Sequence, residues 1–233
     1  MAQEFRSKEA VKIYSEGVIA EELTLRPVLL ELLGDIRNKK ILDLGCGDGR
    51  YSTLFAQLGA AVIATDFSSH QIEIAKQKNT HPNICYSVGD VSSGGAGPES
   101  QDIVFANLVV PSLGQVEKLV TLFSVTREVL KADGRFIFSI LHPLYLSKEQ
   151  DSYDRAVDFH PESYFKEGTL FHSEALTKAG STMHFEEAHF SLTHISKVLK
   201  EQGFFICLLA ESLQVPEKEM FLPKYLAFEC IKS

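Results

Sequence analysis

The sequence lacks four features that would each point to a particular class of protein. It has no apolar run of transmembrane length, and its four cysteines do not have the C-x-x-C spacing of redox or zinc sites. Residues 1–10 are polar and charged and do not resemble an export signal. There is no basic excess, and the net charge of -8 argues against a positive field for collecting polyanions. These absences predict a cytoplasmic protein with reduced, buried cysteines and disfavour a membrane or nucleic acid as its partner.

A chain of 233 residues can bury a substantial core, and we expect one domain that contains one modest insertion. Short β-type runs alternate with helix-spaced apolar residues along most of the chain. The predicted strands are 40–44, 61–65, 84–88, 102–106, 135–141, 204–210 and 225–231. The predicted helices are about 4–16, 25–33 after an N-cap at Thr24, 50–58, one opened by Ser68, one that contains 116–123, and 193–202.

This alternation predicts an α/β fold. A parallel sheet wound on both faces is expected, because right-handed crossovers place a helix between neighbouring parallel strands. The last two predicted strands have no helix between them, which favours an antiparallel hairpin at the end of the chain. The result is a doubly wound, mainly parallel sheet whose last strand is antiparallel.

The sharpest local signal is a glycine-rich turn, Gly45-Cys46-Gly47-Asp48-Gly49, between the first strand and its helix. Glycine permits positive φ and a close approach of the backbone to a ligand. The spacing differs from the G-x-G-x-x-G of dinucleotide-binding folds, because Arg50 stands where that motif has its third glycine. Asp43, just before the turn, would repel a pyrophosphate and attract an ammonium or a sulfonium. The turn therefore favours S-adenosylmethionine, which carries both cations and no phosphate, over a nicotinamide dinucleotide.

Two further acidic residues follow predicted strands. Asp66 ends the second strand, where doubly wound nucleotide-binding folds place the acid that accepts both ribose hydroxyls. Asp90 follows the third strand and is a candidate acceptor for the adenine amino group. Each could instead serve locally, Asp66 by capping the next helix and Asp90 as a turn residue.

Four segments resemble class I S-adenosylmethionine-dependent methyltransferases, in the ubiquinone/menaquinone-type (type 11-like) group. They are ILDLGCGDG at 41–49, VIATDFS at 62–68, QDIVFAN at 101–107 and LKADGRF at 130–136. The resemblance implies a Rossmann-like, mainly parallel, seven-stranded sheet, with adenosylmethionine as methyl donor and adenosylhomocysteine as product. The cofactor-binding residues that it implies are Asp43, Gly45, Cys46, Gly47, Asp66, Phe67, Asp90, Val91 and Asn107, and Tyr14 and Arg26 from the N-terminal helices.

Residues on the substrate side are suggested by position and by one branch of the family. His142, before Pro143, resembles a histidine-proline ending of strand five, and it is either a general base or a residue that orders the turn. His189 resembles that branch's late histidine, although Phe190 stands where an arginine commonly follows. Phe165 and Phe171 lie in an irregular aromatic insertion that we expect to cover the substrate. The domain then divides into N-terminal helices (1–39), a cofactor-binding half (40–142), the insertion (143–188), and a C-terminal helix and strand hairpin (189–233).

The sequence thus predicts an enzyme that methylates a small molecule, and it leaves the acceptor atom and the oligomeric state open. A nucleic-acid methyltransferase and an NAD(P)-dependent oxidoreductase are the alternatives. No metal is expected, because His184, His189 and His194 are spaced by five and do not share a helical face.

Overall fold

The computed structural model describes residues 16–146, 158–214 and 222–233. The central sheet has seven strands in the order β3-β2-β1-β4-β5-β9-β8. Its strands are β1 (Lys40–Leu44), β2 (Ala61–Asp66), β3 (Ile84–Val88), β4 (Gln101–Ala106), β5 (Leu130–Leu141), β8 (Phe204–Glu211) and β9 (Tyr225–Lys232). Pairing is parallel from β3 to β5, and β9 runs antiparallel to both β5 and β8. The doubly wound sheet with its antiparallel last strand is therefore confirmed.

Helices cover both faces of this sheet. They are α1 (Arg26–Leu33), α2 (Arg50–Gln57), α3 (Ser69–Lys78), α4 (Val116–Val129), the short α5 (Pro143–Leu146) and α6 (Leu192–Glu201). Alternate residues of β1 enter separate cores: Ile41 packs with Phe55 and Phe105 on one face, whereas Leu42 and Leu44 pack on the other. Strands buried on both faces explain the nearly continuous apolar runs in the sequence.

The entry to α1 differs from the prediction. A π-helical turn, Glu21–Leu25, leads directly into α1. Thr24 lies inside that turn, and its hydroxyl donates to the Ala20 carbonyl at 2.7 Å. The N-cap assigned to Thr24 is therefore wrong, because the helical path already begins before it. The predicted helix at about 4–16 lies almost wholly outside the described residues, as does Tyr14.

Strand β5 is also longer than predicted. Its main register begins at Arg135 opposite Ile103, but Leu130 already pairs with Gln101. The two pairs are separated by an irregularity that takes up the extra residues of β5. Asp133-Gly134 therefore lies within an irregular stretch of strand rather than in a turn before it.

The insertion contains regular structure that the sequence pattern did not reveal. Strands β6 (Thr169–Leu176) and β7 (Thr182–His189) form a separate antiparallel hairpin, in register from Thr169 opposite His189 to Leu176 opposite Thr182. The prediction that this segment is irregular is wrong over the hairpin. The expectation of buried cysteines holds for Cys46 and Cys230 only, because Cys85 and Cys207 are exposed; all four are free.

Candidate active site

The glycine turn is held between the ends of β1 and β2. The amides of Gly45 and Cys46 both donate to the Thr65 carbonyl, at 2.8 and 2.9 Å. Gly45 has φ +70°, and a Cβ there would lie 2.5 Å from Cγ2 of Val109. A side chain at this position would therefore meet both backbone strain and a packed neighbour.

The Asp66 carboxylate closes the same turn from β2. Oδ2 accepts from the Gly47 amide at 2.9 Å, and Oδ1 accepts from the Ser68 amide at 2.8 Å. Burial raises the pKa of Asp66 to about 6, although these two hydrogen bonds oppose the rise. The carboxylate thus shapes the turn and also lines the cavity beside it.

Asp43 occupies a different place from the one that its position suggested. Its carboxylate is buried, accepts from the Ser52 hydroxyl of α2 at 2.5 Å, and does not line the cavity. Burial raises the pKa of Asp43 to about 7, and nearby Asp66 and Asp48 add to the rise. The expected direct attraction of a cationic ligand by Asp43 is therefore not supported by the geometry. Instead the side chain joins the end of β1 to α2.

A single large cavity runs along the carboxyl edge of the sheet. It contains about 1260 Å³ of empty space, a figure that includes its opening to solvent. The residues that line it along β1 to β4 include Gly45, Gly47, Asp66, Phe67, Asp90, Val91 and Asn107. It continues past Leu141 of β5 to Lys224 and Tyr225, because antiparallel β9 begins at the edge where the parallel strands end.

Asp90 is a turn residue, as considered for it, and it also lines the cavity. Its side chain accepts from the Ser92 amide at 3.1 Å and caps the 3₁₀ turn Val91–Ser93. Asp90 also lines the cavity, as do its neighbours Val91 and Gly89. The local turn therefore fixes the carboxyl group at the end of the cavity formed by β2 and β3.

The loop after β4 is fixed by a polar chain that crosses three elements. The Ser139 hydroxyl of β5 donates to Asn107 Oδ1 at 2.7 Å, and Asn107 Nδ2 donates to Glu21 Oε1 at 2.7 Å. Ser139 also accepts from the amide of Leu108, which has a left-handed φ of +55°. Strained non-glycine residues cluster at functional sites, and Glu21, Asn107 and Leu108 all line the cavity.

Glu21 was missed from the sequence. It is 4% exposed, and burial raises its pKa against the opposing effects of Arg50 and Asn107. The π-helical turn that carries it follows no local sequence rule, although such turns are frequent at functional sites. Ser139, by contrast, can be recognised in the sequence, because it is the one hydroxyl residue inside the apolar run Phe136–Leu141.

The hairpin β6–β7 supplies the other wall of the cavity through Ser173, Phe185 and Glu187. Phe171 packs in the protein interior against Phe159, whose ring also contacts His189, and Phe171 does not line this cavity. Phe165 is 76% exposed. Of these three phenylalanines, Phe185 is the one that lines the cavity.

The comparisons with known proteins agree with this geometry. Residues 42–138 match the family model of a methyltransferase domain, type 11. Phosphoethanolamine N-methyltransferase 1 of Caenorhabditis elegans is 34% identical over 111 residues, covering 46% of this chain and 23% of that protein. The mitochondrial ubiquinone biosynthesis O-methyltransferase of Schizosaccharomyces pombe is 35% identical over 115 residues, covering 47% and 40%.

A solved structure extends the likeness to nearly the whole chain. It is a candidate S-adenosylmethionine-dependent methyltransferase from Listeria monocytogenes, 25% identical, with a TM-score of 0.69 and coverage of 89% of this chain and 97% of that one. Residues 42–138 therefore form a methyltransferase domain of the type 11 group, on a fold shared with adenosylmethionine-dependent methyltransferases. The family and cofactor predicted from the sequence are thereby confirmed. The methyltransferase spans about half or less of the length of the curated relatives that it matches first.

Several predicted site residues of the methyltransferase lie away from the cavity. His142 accepts from the Leu144 amide at 3.0 Å, and its Nε2 lies 3.2 Å from Glu211 Oε1. Burial lowers the pKa of His142 despite Glu211. This arrangement matches the alternative in which His142 orders the turn before Pro143. The other predicted residues that do not line the cavity are Asp43, Cys46, Arg26, His189, Phe165 and Phe171.

Two of these residues have evident structural partners. The Arg26 guanidinium pairs with Glu22 at 2.8 Å and lies over the ring of Tyr51. His189 is buried, and its Nε2 lies 2.9 Å from the Tyr164 carbonyl. Burial lowers the pKa of His189, as expected for a histidine fixed inside the protein.

Acidic residues outnumber basic ones around the cavity of the methyltransferase. Among the residues that the structure describes, six acidic ones line it, Glu21, Asp66, Asp90, Glu174, Glu186 and Glu187, against two lysines, Lys118 and Lys224. In the described part of the chain, no group of His, Cys, Asp and Glu side chains has the arrangement of a metal site. Within the same part, no helix is long and apolar enough to span a membrane.

Proposed function

We propose that this protein transfers a methyl group from adenosylmethionine to a small-molecule acceptor bound in the same cavity. The observation that carries the proposal is the single cavity, which extends from Asp90 to Tyr225 along the carboxyl edge of the sheet. Ligands of doubly wound sheets bind at this edge. The lining of the cavity spans the ends of β1 to β5 and the start of β9, which leaves a place for an acceptor beside the donor.

The residues at the β1–β4 end fit the donor. Gly45 and Gly47 leave the backbone open to its methionine part, Asp66 would accept from the ribose hydroxyls, and Asp90 would accept from the adenine amino group. The excess of carboxylates suits a ligand with a sulfonium and an ammonium, and it opposes a pyrophosphate. When bound, adenosylmethionine supplies an already activated methyl group.

The contribution of the protein is mainly to position the acceptor and to exclude water. Positioning can supply much of the reduction in barrier for such an in-line displacement. His142 is not part of this proposal, because its ring nitrogens contact Leu144 and Glu211 outside the cavity. Hairpin β6–β7, which lies within the predicted insertion, would cover the acceptor.

Two further expectations belong to the proposal. A small-molecule acceptor rather than nucleic acid is supported by the acidic lining of the cavity, which would repel a phosphate backbone. A cytoplasmic location is supported by the four free cysteines, which are typical of a reducing compartment.

The test is calorimetric titration of the purified protein with adenosylmethionine, adenosylhomocysteine and NAD. We expect both adenosyl ligands to bind and NAD to leave no measurable heat. Replacing Gly45 by Val should abolish binding, because its Cβ would displace Val109 at the turn. Binding of NAD alone, or full affinity in a folded Gly45→Val protein, would contradict the proposal.

A further inference from the structure

One side chain of the cavity wall is polar, buried and unpaired. Gln71, in the first turn of α3, lines the cavity and is 1% exposed. Its Oε1 is buried and accepts no hydrogen bond from the residues that the structure describes, and its Nε2 donates none to them. Buried polar groups are normally hydrogen-bonded. The carboxamide of Gln71 therefore requires a reason, either in the local structure or in a ligand.

The local sequence offers Gln71 a structural role that the fold does not use. Residues 68–71 have the S-x-x-Q form of a capping box, in which the glutamine side chain accepts from the backbone amide of the N-cap residue. Half of this box is present, because the Ser68 hydroxyl accepts from the Gln71 amide at 3.3 Å. The Ser68 amide, however, donates to Asp66 Oδ1 at 2.8 Å. Asp66 thus takes the donor that would have satisfied Gln71.

Other carboxamides of the protein show the usual pairing. Both ends of the Asn107 carboxamide are hydrogen-bonded within the cavity wall. Gln101 is 3% exposed and lies away from the cavity, and its Nε2 donates to the Ser100 hydroxyl at 2.8 Å. Gln71 differs from both, because it borders empty space and makes no side-chain hydrogen bond there. A ligand in the cavity is the partner that remains.

Gln71 lies at the end of the cavity assigned to the donor. Asp66, Phe67 and Asp90 line the same end, where β2 and β3 finish. Ser68 connects Gln71 to Asp66, because its amide donates to Asp66 and its hydroxyl accepts from the Gln71 amide. The carboxamide is therefore anchored beside the carboxylate that is proposed to bind ribose.

The two side chains complement each other toward hydroxyl groups. An ionised carboxylate only accepts, whereas a hydroxyl both donates its single hydrogen and accepts through its oxygen. Ribose hydroxyls that donate to Asp66 therefore still have oxygen lone pairs for a donor. Gln71 Nε2 is such a donor, and rotation about the soft terminal torsion of the side chain would present Oε1 in its place. The contact is neutral and depends on no net charge in the cavity.

We propose that the carboxamide of Gln71 hydrogen-bonds one ribose hydroxyl of the adenosyl ligand, which makes the donor site specific for a ribonucleoside. The inference rests on the proposed function, since it assumes the donor site. A ligand without that hydroxyl would leave the carboxamide unpaired. A site built to pair a hydroxyl rejects the analogue that lacks it.

Calorimetry with four ligands tests this contact. They are adenosylhomocysteine and its 2′-deoxy, 3′-deoxy and inosyl analogues, and each is titrated into the wild type and Gln71→Met. The variant should bind adenosylhomocysteine about three- to tenfold more weakly, as expected for one neutral hydrogen bond. Its preference for adenosylhomocysteine over one of the two deoxy analogues should shrink by the same factor, and its preference over the inosyl analogue should not change. Unchanged preferences over both deoxy analogues, or a change confined to the inosyl analogue, would overturn the proposal.

Thermal stability separates this role from a structural one. Because the carboxamide has no partner within the described protein, unliganded Gln71→Met should melt at or above the temperature of the wild type. Gln77→Met, the same substitution at an exposed position of α3, is the control and should bind all four ligands as the wild type does. A lower melting temperature or a failure to fold in Gln71→Met would assign the residue a structural role and overturn the proposal.

The wild type is titrated with adenosylhomocysteine before any variant. Absence of binding there would contradict the proposed function, and this inference with it. Normal binding by the wild type, combined with unchanged preferences in Gln71→Met, would overturn the role of Gln71 alone.

Discussion

At the scale of single residues, Asp66 shapes the glycine turn and lines the proposed donor site. Its pKa of about 6 in the unliganded protein means that acid converts it to a neutral group within an accessible range of pH. Ribose hydroxyls donate to the ionised form, so binding favours loss of the proton. We therefore expect the affinity for adenosylhomocysteine to be constant above about pH 7 and to fall as the pH drops through about 6.

Calorimetry between pH 5 and pH 8 measures this dependence. Asp66→Asn should bind about tenfold or more weakly at pH 8, since a charge-assisted contact is lost, and its affinity should vary less with pH. Asp66→Ala should in addition lower the melting temperature, because the Gly47 and Ser68 amides lose their acceptor. An unchanged pH profile in Asp66→Asn would assign the dependence to another group.

Asp43 gives a prediction about stability rather than binding. Its pKa of about 7 in the folded protein exceeds the ordinary 3.8, so the native state holds this proton more tightly than the unfolded chain. The contribution of Asp43 to stability is therefore fully present below about pH 4 and is lost as the pH rises to about 7, by at most about 4 kcal/mol. Asp43→Asn keeps an acceptor for Ser52 and should make the free energy of unfolding less dependent on pH.

Urea denaturation of both proteins at pH 5 and pH 8 provides the measurement. Between pH 5 and pH 8, Asp43→Asn should lose less stability than the wild type. Asp35→Asn, at an exposed position, serves as the control. If the wild type and Asp43→Asn lost equal stability between pH 5 and pH 8, Asp43 would not be the titrating group.

At the scale of elements, the hairpin separates substrate contacts from structural ones. Phe185 lines the cavity, Phe171 is buried and Phe165 is largely exposed. Phe185→Ala should raise the KM for the acceptor with little change in the affinity for adenosylhomocysteine. Phe171→Ala should lower the free energy of unfolding by about 3 kcal/mol, and Phe165→Ala should change neither. Kinetics, calorimetry and urea denaturation distinguish the three, and a substrate effect confined to Phe165→Ala would contradict the assignment.

The elements that the sequence predicted well are those with a strong local signal. Strands β1 and β3 have the predicted limits, and Ser68 caps α3 by accepting from the Gln71 amide. Strand β1 is buried from Ile41 onwards and is an apolar run that ends at Gly45, so its limits are visible in the sequence.

The hairpin and the π-helical turn lack such a signal. Strands β6 and β7 carry histidines and glutamates on the exposed face and Ser173 and Glu187 on the buried one. This mixture obscures the alternation of apolar and polar residues that identifies a half-buried strand. Glu21 and Glu187 reach the cavity only through tertiary packing, which no spacing rule encodes.

At the scale of the whole molecule, the topology determines where the two ends of the cavity lie. Parallel strands β1 to β5 all end at one edge, and the reversal of β9 brings Tyr225 to that edge as well. The proposed donor site lies over β1 to β4 and the proposed acceptor site over β5 and β9. Both therefore face the same excess of acidic residues.

That excess predicts how salt affects the two adenosyl ligands. Adenosylmethionine carries a sulfonium charge that adenosylhomocysteine lacks, and screening weakens attraction between charges that are partly exposed to solvent. We expect the Kd of adenosylmethionine to rise more than that of adenosylhomocysteine between about 0.05 and about 0.5 M sodium chloride, where the screening length falls from roughly 14 to 4 Å. Calorimetry with each ligand measures both values of Kd. Adenosylhomocysteine, whose thioether is uncharged, is the control. Glu21→Gln should reduce the difference between the two ligands, because one acidic side chain of the cavity is neutralised. Equal salt dependence for both ligands would mean that the sulfonium binds without net attraction from these carboxylates.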